Sequence, residues 1–252
     1  MSRAAFEETS NLPVGSFGEK IGIIVWRTWY PALIHGHHNV VTTYDFPVRI
    51  KLISNWRAPE SKMAEWSGWN VPEYIKTAKE LESEGVAAIC TNCGLTGTMH
   101  ETLSNAVDIP VFTSSLMQVP FVSRSIKKGK KVGILIASAQ RGRDQNNKLL
   151  RSCGIDESIP YVMKGMDESE DVETWRSQFI KGSGYDPKKV ESLIVKEAKK
   201  MVAENPIGAI VLECTEMPLY AAAIQEATGL LTFDSSTLVK YVYNACVKKH
   251  YF

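Results

Sequence analysis

The sequence predicts an α/β protein of two pseudosymmetric lobes, each a parallel sheet flanked by helices, with the active site in the cleft between them. Short β-branched runs alternate with longer stretches of helical periodicity almost throughout, as in repeated strand–helix–strand units. Several strand runs are apolar on successive residues rather than alternate ones, as strands buried on both faces should be. The chain also repeats itself at an offset of 121 residues. Laying 88–115 on 209–236 gives seven identities in 28 pairs, where about two are expected by chance. The competing explanation is that parallel α/β units all look somewhat alike.

In chain order, the strand expectations are 21–26 (IGIIVW), 48–54, 86–90 (VAAIC), 109–115 (IPVFTSS), 131–137 (KVGILIA), 209–214 (AIVLEC) and 230–236 (LLTFDSS). KIGIIV at 20–25 and KVGILI at 131–136 read alike, and each opens a half that reaches its own strand–Cys–helix–strand unit. The segment 190–206 predicts a helix with Val190, Leu193, Ile194, Ala198, Met201 and Val202 on one stripe, and Asp186-Pro187 as cap and first position. The division expected from the repeat is a first lobe of 18–118 plus 231–252 and a second of 119–230.

Composition narrows the function classes. The net charge of 252 residues is +1, without the clustered basic excess of a nucleic-acid binder; KKGKK at 127–131 reads as a solvated turn. No apolar run approaches the roughly 20 residues of a membrane helix, and 1–15 lacks the apolar core of a secretory signal. Five sparse cysteines suggest a reducing compartment and free thiols. The expectation is a cytoplasmic protein that takes a small-molecule substrate, without nucleic-acid or membrane partners.

Cys93 follows one strand and Cys214 closes its counterpart, each ahead of a helical segment. Ligands of open α/β sheets collect at such strand ends, and a helix start favours the thiolate, which predicts lowered thiol pKa values. Two facing thiols suit inversion at a carbon, one removing a proton and the other returning one. Cys90 and Cys93 form a C-x-x-C, but no second C-x-x-C or spaced histidine pair accompanies it, and the repeat sets Cys90 opposite Val211. Cys90 therefore reads as strand filler, and as the alternative nucleophile if the register slips. Cys153 and Cys246 read as helix-face fillers. His35, His37 and His38 read as part of a loop near the cleft rather than as metal ligands, and no metal site is expected. The tryptophan-rich stretch 54–70 reads as packing, with a lid or a bulky-substrate pocket as the alternative.

TNCG at 91–94 with LECTEMPLYA at 212–221 resembles the aspartate/glutamate and hydantoin racemase superfamily, in an uncharacterised branch related to maleate isomerases and arylmalonate decarboxylases. IPVFTSSLMQVP (109–120) and 21–48 share the likeness, which runs from about Ile21 to Ser236. The resemblance implies a two-lobed fold and cofactor-independent 1,1-proton transfer by Cys93 and Cys214. It implies that Asn92, Gly94 and Thr215 help form a carboxylate pocket, with Ser114 and Ser115 lining it. Members often form dimers, so a homo-oligomer is one expectation.

This chain departs from the pattern where many members have an acidic residue after the first strand, since Arg27 and Thr28 stand there. Arg27 is a candidate for a second substrate carboxylate or a surface ion pair, and Thr28 is a substrate-binding candidate beside it. Glu216 replaces the histidine that glutamate racemases carry two residues after the second cysteine, and is a further substrate-binding candidate. Gly36-His37 stands for a common Gly-Asp pair. A racemase or epimerase of a carboxylate- or hydantoin-bearing molecule is the first expectation. An isomerase or decarboxylase on the same scaffold is the second, and a two-lobed binding protein the third.

Overall fold

The computed structural model describes residues 18–26, 35–53, 69–180 and 182–248. Arg27, Thr28 and most of the tryptophan-rich stretch lie outside them. The described residues form two four-stranded parallel sheets of the same order, β2-β1-β3-β4 and β6-β5-β7-β8. The first comprises β1 (Ile21–Val25), β2 (Val48–Leu52), β3 (Ala88–Thr91) and β4 (Val111–Phe112). The second comprises β5 (Lys131–Ile136), β6 (Tyr161–Gly165), β7 (Ile207–Leu212) and β8 (Thr232–Phe233). β6, an edge strand mostly half-exposed, is absent from the expected set because YVMKG has too little apolar patterning to stand out.

The 121-residue repeat is present in the register itself. Ile89 pairs with Val111 and Cys90 with Phe112, while Ile210 pairs with Thr232 and Val211 with Phe233. Ile21 pairs with Ala88 and Val132 with Ala209. Within those strands Gly22 and Gly133 are equivalent, and each admits a helix. A Cβ on Gly22 would stand 2.9 Å from the Leu81 side chain of α1 (Val71–Ser83), and one on Gly133 2.6 Å from that of Met201 in α6 (Pro187–Glu204).

Helix α6 (Pro187–Glu204) follows its expectation closely. The Asp186 side chain accepts from the Lys188 and Lys189 amides, Pro187 opens the helix, and Val190, Leu193, Ile194, Ala198 and Met201 are buried. Cys93 precedes a 3-10 turn, Gly94–Met99, and the short α2 (His100–Ser104); Cys214 precedes the 3-10 turn Met217–Tyr220 and α7 (Ala221–Thr228). Both loops therefore leave the strands as tight turns rather than continuous α-helices. The other helices are α3 (Val119–Ser125), α4 (Ala139–Ser152) and α5 (Val172–Ser177).

The last helix of each half packs on the other sheet. Leu116, Val119 and Val122, at and before α3, pack with Val132, Ile134 and Ile136 of β5. In α8 (Ser235–Cys246), Leu238, Val239 and Val242 pack with Ile21, Ile23 and Cys90. The expected boundary put 231–252 with the first lobe. α8 packs there, but Thr232 and Phe233 belong to the second sheet, because β8 extends the β7 edge as β4 extends β3. No helix of the described residues is long and apolar enough to cross a membrane.

Candidate functional site

The carboxyl ends of β3 and β7, equivalent strands of the two sheets, bring Asn92-Cys93-Gly94 and Glu213-Cys214-Thr215 together. Thr215 Oγ1 donates to the Asn92 carbonyl at 2.6 Å, and Ser115 Oγ donates to the Leu212 carbonyl at 2.6 Å. These cross-lobe bonds are buried, where a satisfied hydrogen bond is strong and an unsatisfied one expensive. Ser114 caps the turn beginning at Ser115, accepting from the Leu116 amide. Asn92, Thr215, Ser114 and Ser115 thus lie at the seam, with Gly94 in the same junction. A small void at this junction is bounded by Cys90, Gly94, Ser114, Ser115, Thr215 and Ser235. It adjoins Cys93 and Cys214 rather than enclosing their sulfurs.

Both cysteines are partly exposed and free, and each lies within electrostatic reach of the same carboxylates. Burial pushes the Cys93 thiol up to about 12, with the Glu213 charge next in weight and an opposing pull from Arg141. Cys214 is pushed well above the usual thiol range by burial, then by Glu213 and Glu216, with the Cys93 charge adding to them. This corrects the expected depression of both thiols. Desolvation and carboxylate charge outweigh the two short helical turns, because both disfavour a thiolate.

Glu213 is absent from the expected site. Its position is that of Asn92 in the other half. Asn92 Oδ1 accepts from the Trp26 amide at 3.1 Å, and Glu213 Oε2 accepts from the Ala137 amide at 3.2 Å. Glu213 is 1% exposed, and its Oε1 is buried without a hydrogen-bond partner. It lies against Gly94, where a Cβ would overlap Oε1 and the Glu213 carbonyl oxygen and stand 2.8 Å from Cδ. Burial raises the Glu213 carboxyl to about 7 despite the Ala137 amide and Arg141. The signal available in the sequence was the repeat itself, which aligns Glu213 with Asn92.

Glu216 and His37 form a second cross-lobe contact, His37 Nε2 to Glu216 Oε2 at 2.7 Å, with His37 fully buried. The Asn39 amide donates to His37 Nδ1 at 3.0 Å, so Nε2 carries the proton and donates to the carboxylate. His38 is buried too, its Nδ1 3.0 Å from Tyr44 Oη. Among the described residues, no three His, Cys, Asp or Glu side chains are grouped as a metal-ligand set. Cys90 is buried in the first core at the register position of Val211. Cys153 is likewise buried, in the second core.

Similarity to known proteins supplies the lineage. The chain is 31% identical over 170 residues to dimethylsulfoniopropionate lyase 7 of Emiliania huxleyi, covering 65% of this chain and 49% of that protein. It therefore spans about half that relative's length. It is 26% identical over 216 residues to the dimethylsulfoniopropionate lyase of Durusdinium sp. clade D, covering 84% and 70%. Its fold is similar to that of an aspartate racemase homologue from Pyrococcus horikoshii OT3, with TM-score 0.57, 20% identity and coverage of 91% and 100%. Unliganded arylmalonate decarboxylase gives TM-score 0.54 at 13% identity, covering 90% and 92%. The family model described as Asp/Glu/Hydantoin racemase matches residues 34–239. With its duplicated sheets and paired strand-end cysteines, the chain belongs to the Asp/Glu/hydantoin racemase family.

Proposed function

We propose that this chain is a lyase that eliminates a sulfide from a β-sulfonio carboxylate, dimethylsulfoniopropionate being the substrate suggested by its relatives. The observation that carries the reading is the unequal site: a duplicated loop presents an amide, Asn92, on one side and a carboxylate, Glu213, on the other. Racemisation asks for a proton donor and acceptor on both faces of a carbon, whereas elimination asks for a base on one face only. The negative side chains Glu213 and Glu216 also suit a substrate whose leaving group carries a positive charge.

In this reading the Cys93 thiolate removes a proton from the carbon beside the carboxylate. The C–H electron pair becomes the C=C bond, and the C–S bond breaks with its electrons leaving on sulfur. The products are acrylate, neutral dimethyl sulfide and the Cys93 thiol. Cys93 is assigned as base because Arg141 acts to lower its pKa; Cys214 lies under the stronger combined influence of Glu213 and Glu216 and stays protonated. Amides around Asn92 and Gly94, with Arg141, bind the carboxylate and stabilise the charge that develops on it.

The earlier steps of racemisation and elimination are the same, so two-cysteine 1,1-proton transfer on a carboxylate or hydantoin is the second reading. It is favoured by the presence of a cysteine in both halves. Incubation with dimethylsulfoniopropionate and gas chromatography of the headspace tests the first. Release of dimethyl sulfide supports it. No release, together with α-hydrogen exchange of aspartate or a hydantoin in deuterated water, overturns it in favour of the second.

A further inference from the structure

The sulfurs of both cysteines need a proton acceptor, since burial and neighbouring carboxylates hold them as thiols. Glu216 already receives the His37 Nε2 proton donor. Glu213 differs: one oxygen takes the Ala137 amide and the other has no partner although it is fully enclosed. A buried carboxylate oxygen left unbonded carries a cost that a structural role does not repay. Gly94, directly after Cys93, is the residue whose missing side chain makes room for that oxygen. At the same place in the other half, Asn92 accepts the equivalent amide without placing a proton acceptor of carboxylate strength there.

We propose that Glu213 is the proton acceptor for the Cys93 thiol, taking its proton through Oε1 as substrate binds and releasing it to water after turnover. The first transfer leaves Glu213 neutral and Cys93 a thiolate. The thiolate then takes the α-proton, and the eliminated sulfide departs with the C–S electrons. Loss of the Glu213 proton to water returns the site to its starting state, so one proton is released for each sulfonium carboxylate split. Glu213 acts through Cys93 and is in that sense a positioning residue for its proton. The turnover part of the inference rests on the lyase reading; the transfer between Glu213 and Cys93 does not.

The charged and titratable groups facing Glu213 are Arg141 on α4, which favours its carboxylate form, and the thiols of Cys93, Cys214 and Cys153, whose ionisation its charge opposes. The test uses the whole chain and iodoacetamide, with alkylation at Cys93 followed across pH by peptide mass spectrometry. Glu213→Gln keeps an oxygen for the Ala137 amide but removes the charge. The alkylation midpoint of Cys93 should then move to lower pH by about one unit, while dimethyl sulfide release falls about 100-fold. Thus the thiol becomes more reactive as turnover declines, a pairing that simple loss of structure does not produce. Glu213→Asp, which keeps the charge, should leave the midpoint near that of the wild type and restore part of the turnover. An unchanged midpoint in Glu213→Gln overturns the proposal, and so does full turnover in that variant. If the wild-type protein releases no dimethyl sulfide, the lyase reading falls and the midpoints alone decide whether Glu213 governs the Cys93 proton.

Discussion

Asn92 and Glu213 stand at the same place in two copies of one strand-and-loop unit, and each accepts a backbone amide from the neighbouring strand end, Trp26 in one copy and Ala137 in the other. The backbone frame is shared and the charge is not. Duplication carried over the sheet order, the register, the packing glycines Gly22 and Gly133, and a cysteine at each strand end. What distinguishes the halves lies in the side chains directly before the two cysteines, one neutral and one a carboxylate. A symmetric scaffold can thus hold unlike side chains at equivalent places without altering the fold, because an amide oxygen and the oxygen of a carboxylate one methylene longer each accept from the equivalent N–H.

The largest effect that this comparison predicts is on turnover. Cys93→Ser should lower dimethyl sulfide release by about 1,000-fold or more, since a serine hydroxyl is a far weaker acid than a thiol. Cys214→Ser should cost less, about 100-fold, because in the proposed elimination that thiol does not take the α-proton. Initial rates by gas chromatography rank the two, and equal losses would erase the distinction between the halves.

Next is pH. Burial raises the Glu213 carboxyl from its ordinary 4.5 to about 7, so the folded protein holds this proton more tightly than the unfolded chain. The stability from that proton is present below about pH 4.5 and is lost as pH rises through about 7. The span corresponds to about 3 kcal/mol. Asp234 is also raised by burial, and His38 is lowered to about 3, chiefly by burial, which acts in the opposite sense. Comparison with Glu213→Gln removes both contributions. Denaturant unfolding from pH 4.5 to 8 should show the wild type losing about 3 kcal/mol relative to that variant.

A smaller effect falls on packing. Gly94→Ala places a Cβ against Glu213, whereas Thr215, its counterpart, already carries one. Destabilisation of about 1–3 kcal/mol is expected, read as a lower thermal midpoint, with a wild-type midpoint contradicting the tight fit. Smallest of all is Cys90→Ala, which should leave dimethyl sulfide release unchanged, because Cys90 packs in the first core where Val211 packs in the second half.

Much of this was legible in the residues. Apolar runs marked seven of the eight strands, and the 121-residue offset coincides with the pairing register. The same offset aligns Cys93 with Cys214, whose loops meet at the seam, and the His37–Glu216 contact links two departures noted separately along the chain. Less legible were effects of three-dimensional burial. A cysteine at a turn start suggested a lowered pKa, but the raised values come from carboxylates and desolvation that only the packed seam supplies. Glu213 escaped notice for a similar reason, since its unpartnered oxygen and its fit against Gly94 exist only once the lobes meet. The hand-over at β8 was missed because two paired residues, Thr232 and Phe233, carry too little pattern to assign a sheet.

The central claim is that one side of a duplicated site does the proton removal. Its most direct test uses dimethylsulfoniopropionate bearing a single deuterium at the α-carbon, supplied as each enantiomer separately, with mass analysis of the acrylate formed. A one-sided base predicts that one enantiomer gives acrylate with the deuterium retained and the other gives acrylate without it. Equal loss of deuterium from both enantiomers would show removal from both faces and contradict the account.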